Sequence, residues 1–564
     1  MTRAWRKWSG GRRRVLAAAV TMVAAGGLTL AAEPAQAASS CVGSGGGCYP
    51  TIQAAVDAAH AGDTITIGAG TFAGGVTITK SVHLQGAGAA STIIRGGDHV
   101  LTIGAYGAAS EPTVSISGVT VTGGLARSSP ESIPLFGKAG VWATGGGIEI
   151  PPGANLAVGA TVTITDSVIT GNRVYATASV PSGFSCPGGF PKGQCPAAGA
   201  QGGGIYSWGP LTLVRTAVTG NSAGGGSGIT SDADGAGIFS REGSLTLDGS
   251  VVSGNRATAV PPAGRFAEGA GIFAGVPDFG PGANTGHDVL VLRNSVVSGN
   301  VATLTSHLPS LTDGNLLDQK ANAGGVLIAA ATPATVENTQ LTKNLVLATD
   351  LNGEAVAINS AIAAFHEPLT MANSVVSGNR AVSEAATTTD QGAAGDALEI
   401  DGGGTIRDSR ITDNYSAVVT PHGLAAVAGA LGLFDNTSLL TVRDTTISGN
   451  TAVAQSTTGS VSIVGAGVFN GGLLALVDDT VSGNSGTATG PSGAAQGGGI
   501  WNGTDLTGPP VQLTLEHTTV TRNSLAGSHG IMVQGGGLFS APPATVILRG
   551  SLITLNTPDQ CSGC

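Results

Sequence analysis

An asparagine returns at nearly constant spacing through most of this 564-residue chain. Its positions are Asn172, Asn221, Asn255, Asn300, Asn344, Asn379, Asn414, Asn450, Asn484, Asn523 and Asn556, and six of the ten intervals lie between 33 and 36 residues. Three residues before each stands an aliphatic, from Ile169 and Val218 to Val520 and Ile553. Five residues before stands Ser or Thr, with Asp479 as the exception. On a strand, positions two apart share a face, so the aliphatic and the small hydroxyl both point inward. A second element precedes each of these: Gly145-Gly-Gly-Ile148, Gly202-Gly-Gly-Ile205, Gly269-Ala-Gly-Ile272, Gly497-Gly-Gly-Ile500 and Gly535-Gly-Gly-Leu538. Between the two lies a short alternating strand such as Leu211-Thr-Leu213.

Each repeat therefore reads as about three short strands, tight turns and one loop of variable length. No such strand buries its face alone, whereas copies stacked about 4.8 Å apart bury one another. The expected fold class is all-β, a right-handed parallel β-helix of about 12–13 coils, roughly 60 Å long at that spacing. A propeller or a sandwich leaves the recurring asparagine without a reason. Composition agrees: glycine supplies 92 residues, 41% are hydrophobic, and only 11% are charged and 4% aromatic. Disordered chains are charge-rich, and collagen needs a three-residue glycine period that is absent here.

Residues 1–37 read as an export signal. Arg3, Arg6, Lys7 and Arg12 to Arg14 precede an apolar stretch, Val15 to Ala32, and Ala35-Gln-Ala37 fits a cleavage site. Arg12-Arg-Arg-Val-Leu16 also resembles a twin-arginine signal. Removing them takes six of 25 basic and one of 35 acidic residues, leaving 19 against 34, a net −15. That charge argues against nucleic acid as a partner. No later apolar run is long enough to span a bilayer, so a secreted monomer is expected, with residues 38–564 as one domain (38–110 cap and first coils, 111–564 repeat coils). Six cysteines form three local pairs, Cys41/Cys48, Cys186/Cys195 and Cys561/Cys564, read as disulfides on proximity among 15 possible connectivities.

Tyr49-Pro-Thr-Ile-Gln-Ala-Ala-Val-Asp57, Gly62-Asp63, Gly70-Thr-Phe72 and Leu84-Gln-Gly-Ala-Gly88 resemble the opening coil of pectin-lyase-like proteins. That resemblance implies an amphipathic helix around Ile52 to Ala59 capping the first coil. The Gly-Gly-Gly-Ile and Ser-Gly-Asn pair is similar to the Gly-Gly-Ala-Ile and Phe-x-x-Asn repeats of chlamydial polymorphic outer-membrane proteins, with aliphatics in place of Phe. Both resemblances speak to fold and leave function open.

Three features could carry function. The asparagines are read as a structural ladder, in which stacked amides pin a turn. Aromatics follow the Gly-Gly-Gly-Ile aliphatic at Tyr206, Phe239, Phe273, Phe469, Trp501 and Phe539, interrupted by Leu327, Ala357, Glu399 and Gly432. Such rings stack on sugar faces if exposed, or form a satellite core if loops cover them. The third feature is Asp396-Ala-Leu-Glu399-Ile-Asp401 with Arg407, Asp408, Arg410 and Asp413, seven charges in 18 residues. Glu399 and Asp401 should share an outer face about 6.6 Å apart, near the separation used by inverting glycosidases, with Glu354 in Asp396's frame one coil earlier. A lyase would instead use carboxylates on Ca²⁺ with Arg407 or Arg410 as base. Solvated decoration is the competing reading.

The histidines show no metal spacing, and the motifs of pectin methylesterases and polygalacturonases are missing. The expected function is an exported, non-catalytic binding scaffold for polysaccharide or a cell-envelope component, needing no cofactor and no metal. The alternative is a lyase or hydrolase of uronate-type polymers. The loops Val174 to Gln201, Val301 to Ala323 and Ala274 to His287 are the candidate contact regions.

Overall fold

The computed structural model describes residues 39–127, 141–176, 198–225, 231–260, 264–275, 289–306, 320–329, 332–350, 355–365, 367–385, 392–434, 437–503 and 511–564. The segment 1–37, Cys186, Cys195, Glu354 and most of the three candidate loops lie outside them.

Nearly all of the regular structure is strand, and every strand pairs parallel with the equivalent strand of the next coil. One coil shows the plan. Leu211–Val214 lies in sheet 1, Ala217–Thr219 in sheet 2, Ser222–Gly225 in sheet 3, Ser231–Asp234 in sheet 4 and Ile238–Ser240 in sheet 5. Leu245–Asp248 then opens the next coil directly beside Leu211–Val214. Among the described residues, sheet 1 has 15 strands, sheets 2 and 5 have 14, and sheets 3 and 4 have 11. This is a right-handed parallel β-helix, the hand that twisted parallel strands impose on their crossovers. The expected 12–13 coils become about 14, because the N-terminal coils add strands to sheets 1, 2 and 5. The expected three strands per repeat become five. The two extra strands flank the variable loop and carry Ala and Gly, which give little hydrophobic alternation to read.

Two cores result. Sheets 1, 2 and 5 enclose large aliphatics stacked like on like, such as Leu211, Leu245 and Leu290, or Val218, Val252 and Val297, all fully buried. Sheets 3 and 4 pack on each other through a thinner layer built largely of alanine, including Ala223, Ala233, Ala257, Ala267, Ala302 and Ala321. The first coil is closed by helix α1 (Ile52–Ala58), which buries Ile52, Ala55 and Val56. Thr51 caps its start by accepting from the Ala54 N–H, and Lys80 Nζ donates to the Asp57 and Ala59 carbonyls at its end. Cys41 is bonded to Cys48 and Cys561 to Cys564.

The asparagines occupy the corner between sheets 2 and 3. Each is buried, and from Asn221 onward each uses its whole hydrogen-bonding capacity, while Asn172 Oδ1 accepts from the Gly124 N–H. In Asn379, Nδ2 donates to Leu341 O and to Asn414 Oδ1, while Oδ1 accepts from the backbone and side-chain N–H groups of Asn344. The same contacts repeat from Asn172 onward, with inter-amide distances of 2.8–3.1 Å. Gln560 closes the column by accepting from both N–H groups of Asn556.

A parallel column of hydroxyls runs along the corner between sheets 1 and 2. Ser250 Oγ, for example, accepts from the Thr216 N–H and lies 3.1 Å from Leu213 O. Asp479 takes one place in this column, accepting from the Thr445 N–H at 2.7 Å and the Val477 N–H at 2.9 Å. Burial pushes its carboxyl up from 3.8 to about 7, against the pull of those two hydrogen bonds.

Two tests follow. Asn379→Leu removes four hydrogen bonds and leaves buried partners unpaired, so it should cost about 2–4 kcal/mol, read as a lower denaturation midpoint. Asp479 binds a proton more tightly when folded, so its contribution is complete below about pH 4 and is lost as the pH climbs to about 7. The Tm of Asp479→Thr relative to wild type should therefore rise between pH 4 and pH 7 and level off above. A difference that stays flat across that range would show that the carboxyl is not buried as described.

Candidate functional site

Sheets 4 and 5 meet at the corner that the Gly-Gly-Gly-Ile motif builds, and side chains on their outer faces touch across it. Thr144 of sheet 4 donates to Glu149 of sheet 5, and Lys320 of sheet 4 lies 5.6 Å from the ring of Phe365 at the end of a sheet 5 strand. The corner needs a residue with positive φ, and glycine supplies it at Gly202, Gly235, Gly269 and Gly497, among others. Three successive coils replace that glycine with Ala323 (φ 52°), Asn359 (φ 61°) and Asp396 (φ 32°). Asn and Asp tolerate this region better than other side chains, yet the strain remains, and strained backbone gathers at functional sites.

Around those strained corners lies a buried polar cluster. Asn322, Asn359 and Asp396 are essentially inaccessible, and Glu399 is 9% exposed. Asn359 Nδ2 donates to Asn322 Oδ1 at 3.0 Å and, through a short contact, to Glu399 Oε2. On sheet 4, Lys320 Nζ lies 3.6 Å from Glu268 Oε1, and Asn322 Nδ2 donates to that same oxygen at 3.5 Å. Asn359 Oδ1 and Asp396 Oδ1 are buried without a hydrogen-bond partner. Burial, then the charges of Glu399 and Asp401, push the Asp396 carboxyl well above the usual carboxylate range. Burial also raises Glu399, against its bond to Asn359 and the nearby Lys320 charge. A carboxyl whose pKa is raised by burial holds its proton more tightly, and raised carboxyls are found among general acids.

The sequence-predicted residues separate. Leu398 and Ile400 face inward as expected, and Glu399 projects from the outer face of the same strand. Asp401 follows it, half-buried, with Oδ1 accepting from the Phe434 N–H. The place one coil before Asp396 belongs to Asn359 rather than Glu354, because Ile358 pairs with Gly395. Arg407 is exposed at the end of a sheet 1 strand and bonded to Asp408, and Arg410 starts a sheet 2 strand. The structure does not bring either arginine to Glu399.

The aromatics do form one column on the outer face of sheet 5. Tyr206, Phe239 and Phe273 stack in succession, and Phe469 stacks on Trp501 at 4.9 Å. Its interruptions are Leu327, Ala363, Glu399 and Gly432; Ala357 sits instead in the alanine core between sheets 3 and 4. Five of the six rings are buried and Phe539 is half-buried. Near the N-terminal end of that column, Glu149 is buried, with its carboxyl raised to about 8.

Sequence reasoning missed Glu268, Lys320, Asn322 and Asn359. The available signal was the corner itself, where Ala323-Gly-Gly-Val326 and Asn359-Ser-Ala-Ile362 lose the leading glycine. Among the described residues, no three His, Cys, Asp or Glu side chains are gathered as a metal ion requires, and no helix is long and apolar enough to cross a membrane.

No family model matches the chain, and no curated protein matches it. Solved structures similar to it include two mannuronan C-5 epimerase A-modules of Azotobacter vinelandii. That of AlgE4 is 15% identical, with a TM-score of 0.26 over 91% of this chain and 94% of that one. That of AlgE6 is 12% identical, with a TM-score of 0.28 over 89% and 93%. Similarity at this level assigns neither substrate nor reaction.

The room for Asp396 can be tested. A Cβ on Gly432, in the next coil, would lie 2.2 Å from Asp396 Oδ2. Gly432→Ala should destabilise by about 1–3 kcal/mol. Asp396→Gly keeps the positive φ and removes the clash, so the double variant should lose clearly less than the two single costs added. Strict additivity in denaturation would mean that the two positions do not touch.

Proposed function

We propose that this chain is an exported, non-catalytic β-helix scaffold that binds polysaccharide along the outer face of sheet 2. The observation that carries the reading is a column of twelve hydroxyl residues in register, running from Thr122, Thr170, Thr219, Ser253, Ser298 and Thr342 to Thr554. Beside it runs a second column in which Val168, Val251, Val296 and Val375 are interspersed with small or polar residues such as Ala217 and Gln340. Hydroxyls and methyls at the strand spacing of about 4.8 Å present repeated hydrogen-bonding and apolar contacts. A linear polymer of sugars offers both kinds of partner at regular intervals. The buried aromatic column is closed to such a partner as folded, so the hydroxyl face is the better contact. The reading calls for no cofactor and no metal.

A second reading has one observation in its favour. Asp396 and Glu399 are carboxyls raised by burial beside strained backbone, the surroundings in which catalytic acids occur. It makes the chain a polysaccharide lyase or glycoside hydrolase, with Ca²⁺ entering only for a lyase.

Purified protein on insoluble acidic and neutral polysaccharides separates the two. Ser253→Lys with Ser298→Lys should weaken binding by roughly tenfold or more, about 1.4 kcal/mol, with an unchanged melt. No new reducing or unsaturated ends should form. Product ends that vanish in Glu399→Gln would replace the scaffold by the enzyme, and absence of binding to every polymer would remove the scaffold reading.

A further inference from the structure

The exposed basic side chains fall into two groups, according to whether a carboxylate reaches them. At the corner between sheets 1 and 2, Arg215, Arg293, Arg407, Arg443 and Arg549 each pair with an Asp or Glu, at N–O distances of 2.7–3.6 Å. On sheet 3 and its corner with sheet 2 stand Arg127, Arg173, Arg256, Lys343, Arg380 and Arg522, all exposed. Among the described residues, none of these six forms an ion pair. The exposed carboxylates beside them are Glu384 and Asp413, with Asp98 in the coil before, so six cations meet three anions on a chain of net charge −10. Lys343 and Arg522 hold φ values of 57° and 56° at the corner where other coils place Gly171, Gly220 or Gly254, a strain that glycine would avoid. Two tyrosines lie among the cations. Tyr175 sits beside Arg127 across the strands, is 41% exposed, and lays its ring over Gly224, where a Cβ would come within 3.2 Å of Cδ2. The Arg380 guanidinium lies 4.7 Å from the ring of Tyr415.

We propose that this side of the β-helix binds a linear acidic polysaccharide, with the polymer's carboxylates on the unpaired cations and a sugar ring on Tyr175. The arginine fork takes a carboxylate through two parallel N–H groups, and these guanidinium groups have no carboxylate of their own to give up. At the corner between sheets 1 and 2 a polymer would first have to displace Asp166, Glu337 or Asp478. Glycine beneath the Tyr175 ring lets it lie along the sheet with its other face open, the surface on which the apolar face of a sugar packs. Sheet 3 strands follow one another at about 4.8 Å, so from the first strand to the eleventh the cations form a row about 48 Å long. A polymer with charged sugars along its length carries its carboxylates in one line, as this row carries its cations, whereas a small anion would meet one or two of them. The row uses no residue of the hydroxyl column, so it goes beyond the contact proposed for sheet 2 and stands or falls apart from it.

Binding of soluble polygalacturonate to the purified full chain, beside neutral dextran and single-stranded DNA, tests this. Polygalacturonate should bind, dextran should not displace it, and the affinity should fall roughly tenfold or more as salt rises from about 0.05 to about 0.5 M. Arg127→Gln, Arg173→Gln and Arg256→Gln together should weaken binding by roughly tenfold or more with an unchanged melt, since exposed, unpaired arginines hold nothing in the fold. Tyr175→Ala alone should also weaken it. The same change at Arg215, Arg293 and Arg443 should alter the affinity by less than about twofold. Should the first triple variant fail to fold, Tyr175→Ala and the wild-type comparison of the three polymers decide. Equal losses from the two arginine sets would mean that overall charge attracts the polymer, which overturns the proposal. So does displacement of polygalacturonate by dextran, DNA binding at least as tight as polygalacturonate, or no polygalacturonate binding at low salt.

Discussion

A primary amide buried at a chain corner has two hydrogens to give and two lone pairs to fill, and each one left unpaired away from solvent costs free energy. The asparagine column answers this with copies of itself: each Asn inside the column is satisfied by the Asn before and after it and by a strand carbonyl. The same geometry fixes the distance and register between coils, since an amide reaches its neighbour only when the strands lie side by side. Aliphatics then stack on their own kind, and the alanine layer between sheets 3 and 4 can close. An orphaned amide would cost about 1–3 kcal/mol, so the requirement is felt at every coil. At the last coil, where no further Asn exists, Gln560 provides the same acceptor.

Much of this was legible in the sequence because it is periodic. The fold class, the corner asparagines and the inward aliphatics and hydroxyls all follow from spacing and residue size. Sheets 3 and 4 did not announce themselves, since a strand such as Ser231–Asp234 or Gly392–Gly395 shows no apolar alternation. What makes them strands is the neighbour on either side and the facing alanines, a tertiary cause.

The candidate site was half legible. Asp396, Glu399 and Asp401 stood out as a run of charge, but charge density predicts exposure, and Asp396 and Glu399 are buried. Their partners Lys320, Asn322 and Asn359 come from earlier coils, about 40 to 80 residues back, and only the stacking register joins them. Arg407 looked close in sequence and belongs to another face. The aromatics kept their column, yet their neighbours bury them, which periodicity could not decide. In a solenoid, sequence proximity locates a residue within its coil, and register decides what it meets.

The claim that everything else rests on is that the buried asparagine amides tie coil to coil. Residue-resolved hydrogen exchange on the native protein measures this most directly. The backbone N–H groups from Asn172 to Asn523, each donating to the side chain of the next Asn, should exchange as slowly as the core strands beside them. Asparagine N–H groups that exchange at the rate of exposed turns, while the flanking strands stay protected, would contradict the account.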